Sequence, residues 1–119
     1  MIKKRLASFG YALRGIVTLV GTQPNARIHL AATAGVLGAG IYFPLTRSEW
    51  LSIILAMGLV WMSEAMNTAL EFLTDLVSPD YHPLAGKVKD VAAGGVLFAA
   101  LAALTVGLLV FGPYIRVLF

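Results

Sequence analysis

Apolar side chains near the start of the chain recur at spacings of three and four residues. This spacing is typical of one face of an amphipathic helix. It predicts a helix over residues 1–22 with the apolar stripe Ile2, Leu6, Phe9, Leu13, Ile16, Val17 and Val20. The same segment carries Lys3, Lys4, Arg5 and Arg14, which can meet anionic headgroups, so we expect the helix to lie on a membrane surface. The Gly21–Pro24 segment is expected to end it.

Three longer apolar segments follow, at 28–45, 50–73 and 91–112. Each is long enough to cross a hydrocarbon layer of about 30 Å. The first and the last carry no formal charge when histidine is neutral. The pattern predicts an all-α membrane protein with one surface helix and three transmembrane helices, in a single domain over residues 1–119.

The connections between these segments are predicted from polar residues and turn formers. We expect a short turn over Thr46–Glu49, with Trp50 as an interfacial aromatic at the start of the second span. A polar loop is expected from Thr74 to Lys89. Pro113 is expected to end the last span.

Composition supports a membrane environment and excludes several classes of protein. Of 119 residues, 59% are hydrophobic and 13% are charged, and the mean hydropathy is +0.84. These values exclude an ordinary water-soluble enzyme, a disordered tail and a nucleic-acid-binding module, although the net charge is +3. The absence of cysteine excludes disulfides, thiolate metal sites and a cysteine nucleophile.

The distribution of basic residues predicts the orientation. The side that would hold the N-terminus and the second loop carries Lys3, Lys4, Arg5, Arg14, Arg27, Lys87 and Lys89, whereas the opposite side carries Arg47 and Arg116. Because cytoplasmic loops are rich in lysine and arginine, we expect a cytoplasmic N-terminus.

Polar residues in the second span are the main candidates for chemistry. Glu64, Asn67 and Glu71 are spaced to share one helical face, and Asp75 extends that face by another turn. Such residues can hold transmembrane helices together. Because two carboxylates and an amide on one face are costly within a membrane, we favour a functional role.

A second polar cluster, Lys89 and Asp90, precedes the third span on the same predicted side. Taken alone, it fits a helix start flanked by a positive charge. Together with the first cluster it offers carboxylates for Mg²⁺ and a lysine for phosphate oxygens, which phosphoryl transfer requires. No Walker A motif is present, so any nucleotide site must be built from helix side chains.

Four stretches of the sequence resemble one family. They are SFGYALRGI, NARIH, EAMNTALE and YHPLAGKVKDVAAGGVL. The chain resembles the small prokaryotic integral-membrane diacylglycerol kinases and the related undecaprenol kinases. The resemblance implies a homotrimer in the bacterial inner membrane, with active sites shared between subunits near the cytoplasmic surface and with ATP and Mg²⁺ as cofactors.

The resemblance also implies roles for individual residues. Glu64 matches the general base that takes the proton from a lipid hydroxyl, and Glu71 matches a metal-binding carboxylate. Gln23 stands where the family usually has a metal-binding glutamate. The remaining matched positions orient the site or hold the nucleotide: Lys4, Tyr11, Asn67, His82, Lys89 and Asp90.

Other interpretations remain open from the sequence. The acceptor could be diacylglycerol or undecaprenol, with a slight preference for undecaprenol from the N-x-R-I-H, EWL and HPLA stretches. A small proton-coupled multidrug transporter would also use an intramembrane carboxylate such as Glu64. A purely structural subunit is a further alternative. His29 is interpreted as a hydrogen-bonded interfacial residue, and His82 alone would fit a solvated loop.

Overall fold

The computed structural model describes residues 1–119 and consists of four α-helices: α1 (Ile2–Thr22), α2 (Pro24–Tyr42), α3 (Arg47–Val77) and α4 (Pro83–Leu118). The predicted all-α class and the helix over 1–22 are confirmed. α3 and α4 form the most extensive helix pair, and α1 and α2 pack more lightly against α3.

A single extended residue, Gln23, separates α1 from α2. Pro24 begins α2, where its missing N–H leaves no helical hydrogen bond unmade. The Arg27 side chain donates to the carbonyl oxygens of Val20 at 3.0 Å and Gly21 at 2.7 Å. These bonds satisfy carbonyls that the end of α1 would otherwise leave free, and they fix the angle between the two helices.

Several predicted boundaries are wrong. α3 already begins at Arg47, because Thr46 and Glu49 form a capping box in place of the expected Thr46–Glu49 turn. The expected loop from Thr74 to Lys89 shrinks to residues 78–82, because both flanking helices continue into it. α4 runs through Pro113 to Leu118.

The first predicted span also has different ends. It was expected over 28–45, but α2 covers Pro24–Tyr42 and Phe43 is already extended. α3 and α4 are long and apolar enough to cross a membrane, and they contain the predicted segments 50–73 and 91–112. α2 is less apolar than α3 and α4 and does not reach the hydropathy of such a span.

Most apolar side chains face outward, since 11 of 119 residues are buried. A small core of Ile53, Val110 and Phe111 joins α3 to α4, with Val36 of α2 packed against it. Gly40 of α2 makes room for the Trp50 ring of α3, because a Cβ there would lie 2.6 Å from that ring. A chain with so little interior gains its apolar environment from lipid or from other subunits.

Hydrogen bonds from Tyr114 fasten the end of α4 to the start of α3. Its hydroxyl donates to Oε2 of Glu49 at 2.7 Å and lies 3.2 Å from the carbonyl oxygen of Pro44. Both Glu49 and Tyr114 lie just outside the predicted spans. The hydrogen bond lowers the pKa of Glu49 below 4.5 and raises the pKa of Tyr114 above 10.0.

We expect Tyr114→Phe to lower the thermal unfolding midpoint modestly at neutral pH. The lowered pKa of Glu49 means that its contribution is present above pH 4.5 and is lost as the pH falls through the folded-state value. The raised pKa of Tyr114 means that its contribution is lost as the pH rises through a value above 10.0. Melting curves of both proteins in detergent should therefore differ most between these limits, and a constant difference at every pH would contradict the account.

Candidate functional site

The candidate site is built on one buried face of α3. Of the five buried residues in this helix, Glu64, Asn67 and Thr68 are polar. Their spacing of three and four residues places them on one side, and Glu64 is only 1% exposed. Asn67 lines a gap between α2 and α4, opposite Asn25 and Ala93. Of the face predicted from sequence, Glu64 and Asn67 are therefore turned into the molecule, whereas Glu71 is partly buried and Asp75 is exposed.

This buried face has few internal partners. The Asn67 side-chain amide donates to Oε1 of Glu71 at 3.4 Å. Three buried oxygens have no hydrogen-bond partner: Oε2 of Glu64, Oδ1 of Asn67 and Oγ1 of Thr68. Buried polar atoms are seldom left unpaired in folded proteins, because each costs about 1–3 kcal/mol. The face is thus chemically suited to receive a ligand, an ion or a polar group from another chain.

A histidine from α2 lies beside the buried carboxylate. Nε2 of His29 is 3.5 Å from Oε2 of Glu64. One turn later, Oγ1 of Thr33 donates to the His29 carbonyl oxygen at 2.7 Å and accepts from the Trp61 indole at 2.9 Å. The sequence predicted that His29 is a hydrogen-bonded residue at the membrane interface but did not identify its partner. No spacing rule connects residue 29 to residue 64.

The second predicted cluster, Lys89 and Asp90, contacts α3 at Asp75, which lies nearer than Glu64 to the loop between α3 and α4. Nζ of Lys89 lies 2.6 Å from Oδ1 of Asp75. The hydrogen bond to Asp75, followed by the charges of Asp75 and Glu71, raises the pKa of Lys89, which precedes the predicted span 91–112. The structure thus brings Glu71, Asp75 and Lys89 to one region, where a lysine stands among carboxylates. Asp90 is exposed.

The remaining predicted residues lie outside this cluster. Lys4 and Tyr11 are exposed on α1, where the Arg14 guanidinium sits 5.3 Å from the Tyr11 ring centre. His82 caps α4, with Nδ1 accepting from the Leu84 amide at 3.1 Å. His82 also lines an apolar cavity of about 480 Å³ between the ends of α3 and α4.

The donor set suits Mg²⁺ bound together with a phosphate ligand. No group of three or more His, Cys, Asp or Glu side chains converges in this chain. Mg²⁺ commonly uses one or two protein carboxylates and completes its shell with phosphate oxygens and water. Glu71 and the unpartnered Oδ1 of Asn67 offer such a partial set. Gln23 is partly buried, and its amide donates to Thr22 at 3.3 Å.

Sequence reasoning missed Thr68 entirely. Its signal was available, since it stands four residues after Glu64 and belongs to the same helical face. A threonine is compatible with a membrane helix because its hydroxyl can bond to the helix backbone. Here the Thr68 hydroxyl has no hydrogen-bond partner. Only the structure separates this threonine from one whose hydroxyl is bonded to its own helix.

Comparisons with known proteins agree with the resemblance. A family model described as prokaryotic diacylglycerol kinase matches residues 10–111. An undecaprenol kinase of Bacillus subtilis (strain 168) is 41% identical over 106 residues, covering 89% of this chain and 86% of the relative. A diacylglycerol kinase of Synechocystis sp. is 43% identical over 103 residues, covering 86% of this chain and 59% of the relative. A diacylglycerol kinase of Escherichia coli (strain K12) is 35% identical over 74 residues, covering 56% of this chain and 61% of the relative.

Proposed function

We propose a specific reaction for this chain, which belongs to the prokaryotic diacylglycerol kinase family and is therefore a membrane lipid kinase. It transfers the γ-phosphoryl group of ATP, with Mg²⁺, to the hydroxyl of a membrane lipid at the cytoplasmic face. The observation that carries the proposal is the buried face of α3, where Glu64 and Asn67 present unpartnered oxygens and Glu71 follows Asn67 by one turn.

In this reaction Glu64 is the general base. Its carboxylate accepts the proton of the lipid hydroxyl as that oxygen forms a bond to the γ-phosphorus. The bond from the γ-phosphorus to the bridging oxygen breaks, and ADP leaves with the electron pair. The unpartnered Oε2 of Glu64 is available for this proton. Because the transfer is direct, no phosphorylated side chain is formed.

Charge neutralisation comes from the region around Lys89. The Lys89 ammonium neutralises phosphate oxygens, and Mg²⁺, which Glu71 would help to hold, would further stabilise the charge on the transferring group. Asn67 orients the reacting groups from its place between Glu64 and Glu71. Gln23 would offer a second protein oxygen to the metal. Asp90, Lys4, Tyr11 and His82 complete the contacts to ATP.

The membrane arrangement follows from the same reasoning. α1 lies on the cytoplasmic surface of the bacterial inner membrane, while α2, α3 and α4 cross it. The 19 residues of α2 give a length of about 28 Å at 1.5 Å per residue. Protomers associate, because one chain leaves buried carboxyl and amide oxygens unpaired and most apolar side chains exposed. The resemblance to the family implies that there are three of them.

The acceptor is a lipid with one primary hydroxyl at headgroup depth, and undecaprenol is slightly preferred to diacylglycerol. The undecaprenol kinase relative matches almost the whole of both chains. Initial rates with each lipid in the same detergent test the choice, and a higher kcat/KM for diacylglycerol would reverse it. The family match does not favour a proton-coupled transporter.

We expect Gln23→Glu to raise the apparent affinity for Mg²⁺. A carboxylate adds one negative charge where the amide now offers only a carbonyl oxygen, and Mg²⁺ favours carboxylates. Titrating Mg²⁺ at saturating ATP should give half-maximal activity at a lower concentration in the variant. An unchanged titration would remove position 23 from the metal site.

A further inference from the structure

The pairing of His29 with Glu64 carries an inference about how the base is held. His29 Nε2 and Glu64 Oε2 are 3.5 Å apart, with side-chain exposures of 17% and 1%. We infer that His29 is a positioning residue that holds the Glu64 carboxylate in the orientation needed for proton transfer. This inference rests on the proposed function, in which Glu64 accepts the lipid proton.

No other group competes for this role. The α4 side chains that line the gap between α2 and α4 are all apolar, namely Ala93, Val96, Leu97 and Ala100. Its other polar side chains, Asn25 and Asn67, are neutral amides. Asn67 directs its amide to Glu71 instead. His29 is also the only basic side chain within ion-pair distance of the Glu64 carboxylate.

A chain of two hydrogen bonds links the His29 backbone to α3. The Trp61 indole on α3 donates to Oγ1 of Thr33, which donates to the His29 carbonyl oxygen. Trp61 lies three residues before Glu64 on the same helix, so this chain of bonds ties the histidine backbone to the helix that carries the carboxylate. A small side-chain rotation then converts the 3.5 Å approach into a hydrogen bond, as catalytic contacts often tighten when substrate binds.

A base oriented by a neighbouring group is effective because the reactive oxygen is held in its working direction before substrate arrives. The His29 N–H also offsets the negative charge of a carboxylate taken out of water. Neither effect involves the ATP contacts around Lys89. Loss of His29 should therefore lower kcat and leave the KM for ATP unchanged.

The test compares His29→Leu, His29→Gln and the control Leu30→Ala in the full-length protein. Leu30 is the next residue on α2 and is exposed. With undecaprenol and Mg-ATP, His29→Leu should lower kcat by about ten- to a hundredfold, the range for groups that orient a reactive partner. His29→Gln keeps an N–H donor and should recover most of the rate, whereas Leu30→Ala should match the wild type.

Two further readouts separate positioning from packing. In a Glu64→Gln background, His29→Leu should cause no additional loss, because there is no base left to orient. Equal loss of kcat in the Leu and Gln variants, with lowered melting midpoints in both, would overturn the inference in favour of packing. A wild-type protein that phosphorylates no lipid alcohol would defeat the proposed function, whereas an active wild type with unchanged His29→Leu kinetics would overturn this inference alone.

Discussion

Glu64→Gln should reduce kcat for lipid phosphorylation by about 10²–10⁴-fold, the range attributed to a positioned general base. Glutamine has nearly the same shape but cannot take the proton from the lipid hydroxyl. The KM for ATP should change little, because the predicted nucleotide contacts lie nearer Lys89. Steady-state rates at saturating Mg²⁺ measure both parameters.

Stability should move in the opposite direction from activity. Glu64 is 1% exposed and its Oε2 has no hydrogen-bond partner. A neutral amide avoids burying an ionised carboxylate, so the variant should unfold at the same temperature or higher. Unimpaired turnover in a well-folded Glu64→Gln protein would remove Glu64 from the role of base.

Glu49→Gln is the matched control for this variant. It makes the same chemical change on the same helix, but Glu49 lies in the first turn of α3 and bonds to Tyr114. Its turnover should match the wild type, while its melting midpoint should fall because the hydrogen bond to an ionised acceptor weakens. A large loss of turnover in Glu49→Gln would show that the loss in Glu64→Gln cannot be assigned to the role of Glu64 as a base.

Lys89→Met should lower kcat/KM for ATP by about 10²–10³-fold, comparable to removing one donor that stabilises transition-state charge. The methionine stem keeps the apolar part of the side chain and removes only the ammonium group. Lys89 lies 2.6 Å from Asp75 and feels the charge of Glu71, so it stands at the predicted junction of metal and phosphates. Rates measured across a range of ATP concentrations give the value.

Lys87→Met is the control for the lysine. Lys87 lies two residues away on α4, is exposed and forms no ion pair. Both variants should retain their melting midpoints, because exposed ion pairs contribute little to stability. Equal losses in the two variants would indicate a general effect of surface charge and would contradict a specific role for Lys89.

Patterns along single helices were predictable from sequence. The face containing Glu64, Asn67 and Glu71 follows from the 3.6-residue period, and the break at Gln23–Pro24 follows from the geometry of proline. The ends of α3 and α4 were predicted less well: both helices begin earlier and end later than the predicted segments 50–73 and 91–112. Helix ends depend on capping interactions, which the apolar pattern does not show. Thr46 and Glu49 form a capping box that recruits residues expected in a turn.

Contacts between helices could not be predicted in the same way. Two such contacts are the approach of His29 to Glu64 and the pairing of Lys89 with Asp75. Both depend on the angles at which helices cross, and residue spacing within one helix does not reveal these angles. Pro113 illustrates a different limit. It lies inside α4 near the Tyr114 contacts, so tertiary bonds at the helix end outweigh the intrinsic preference of proline to stop a helix.

The central claim is direct phosphoryl transfer from ATP to a lipid hydroxyl. The most direct measurement incubates the purified protein in detergent with γ-labelled ATP, Mg²⁺ and either undecaprenol or diacylglycerol, and then separates lipid, nucleotide and protein. We expect the label to appear in a lipid phosphate, with none on the protein and little as inorganic phosphate. Label that stays in ATP, or that is released only as inorganic phosphate with every lipid alcohol tried, would contradict the account.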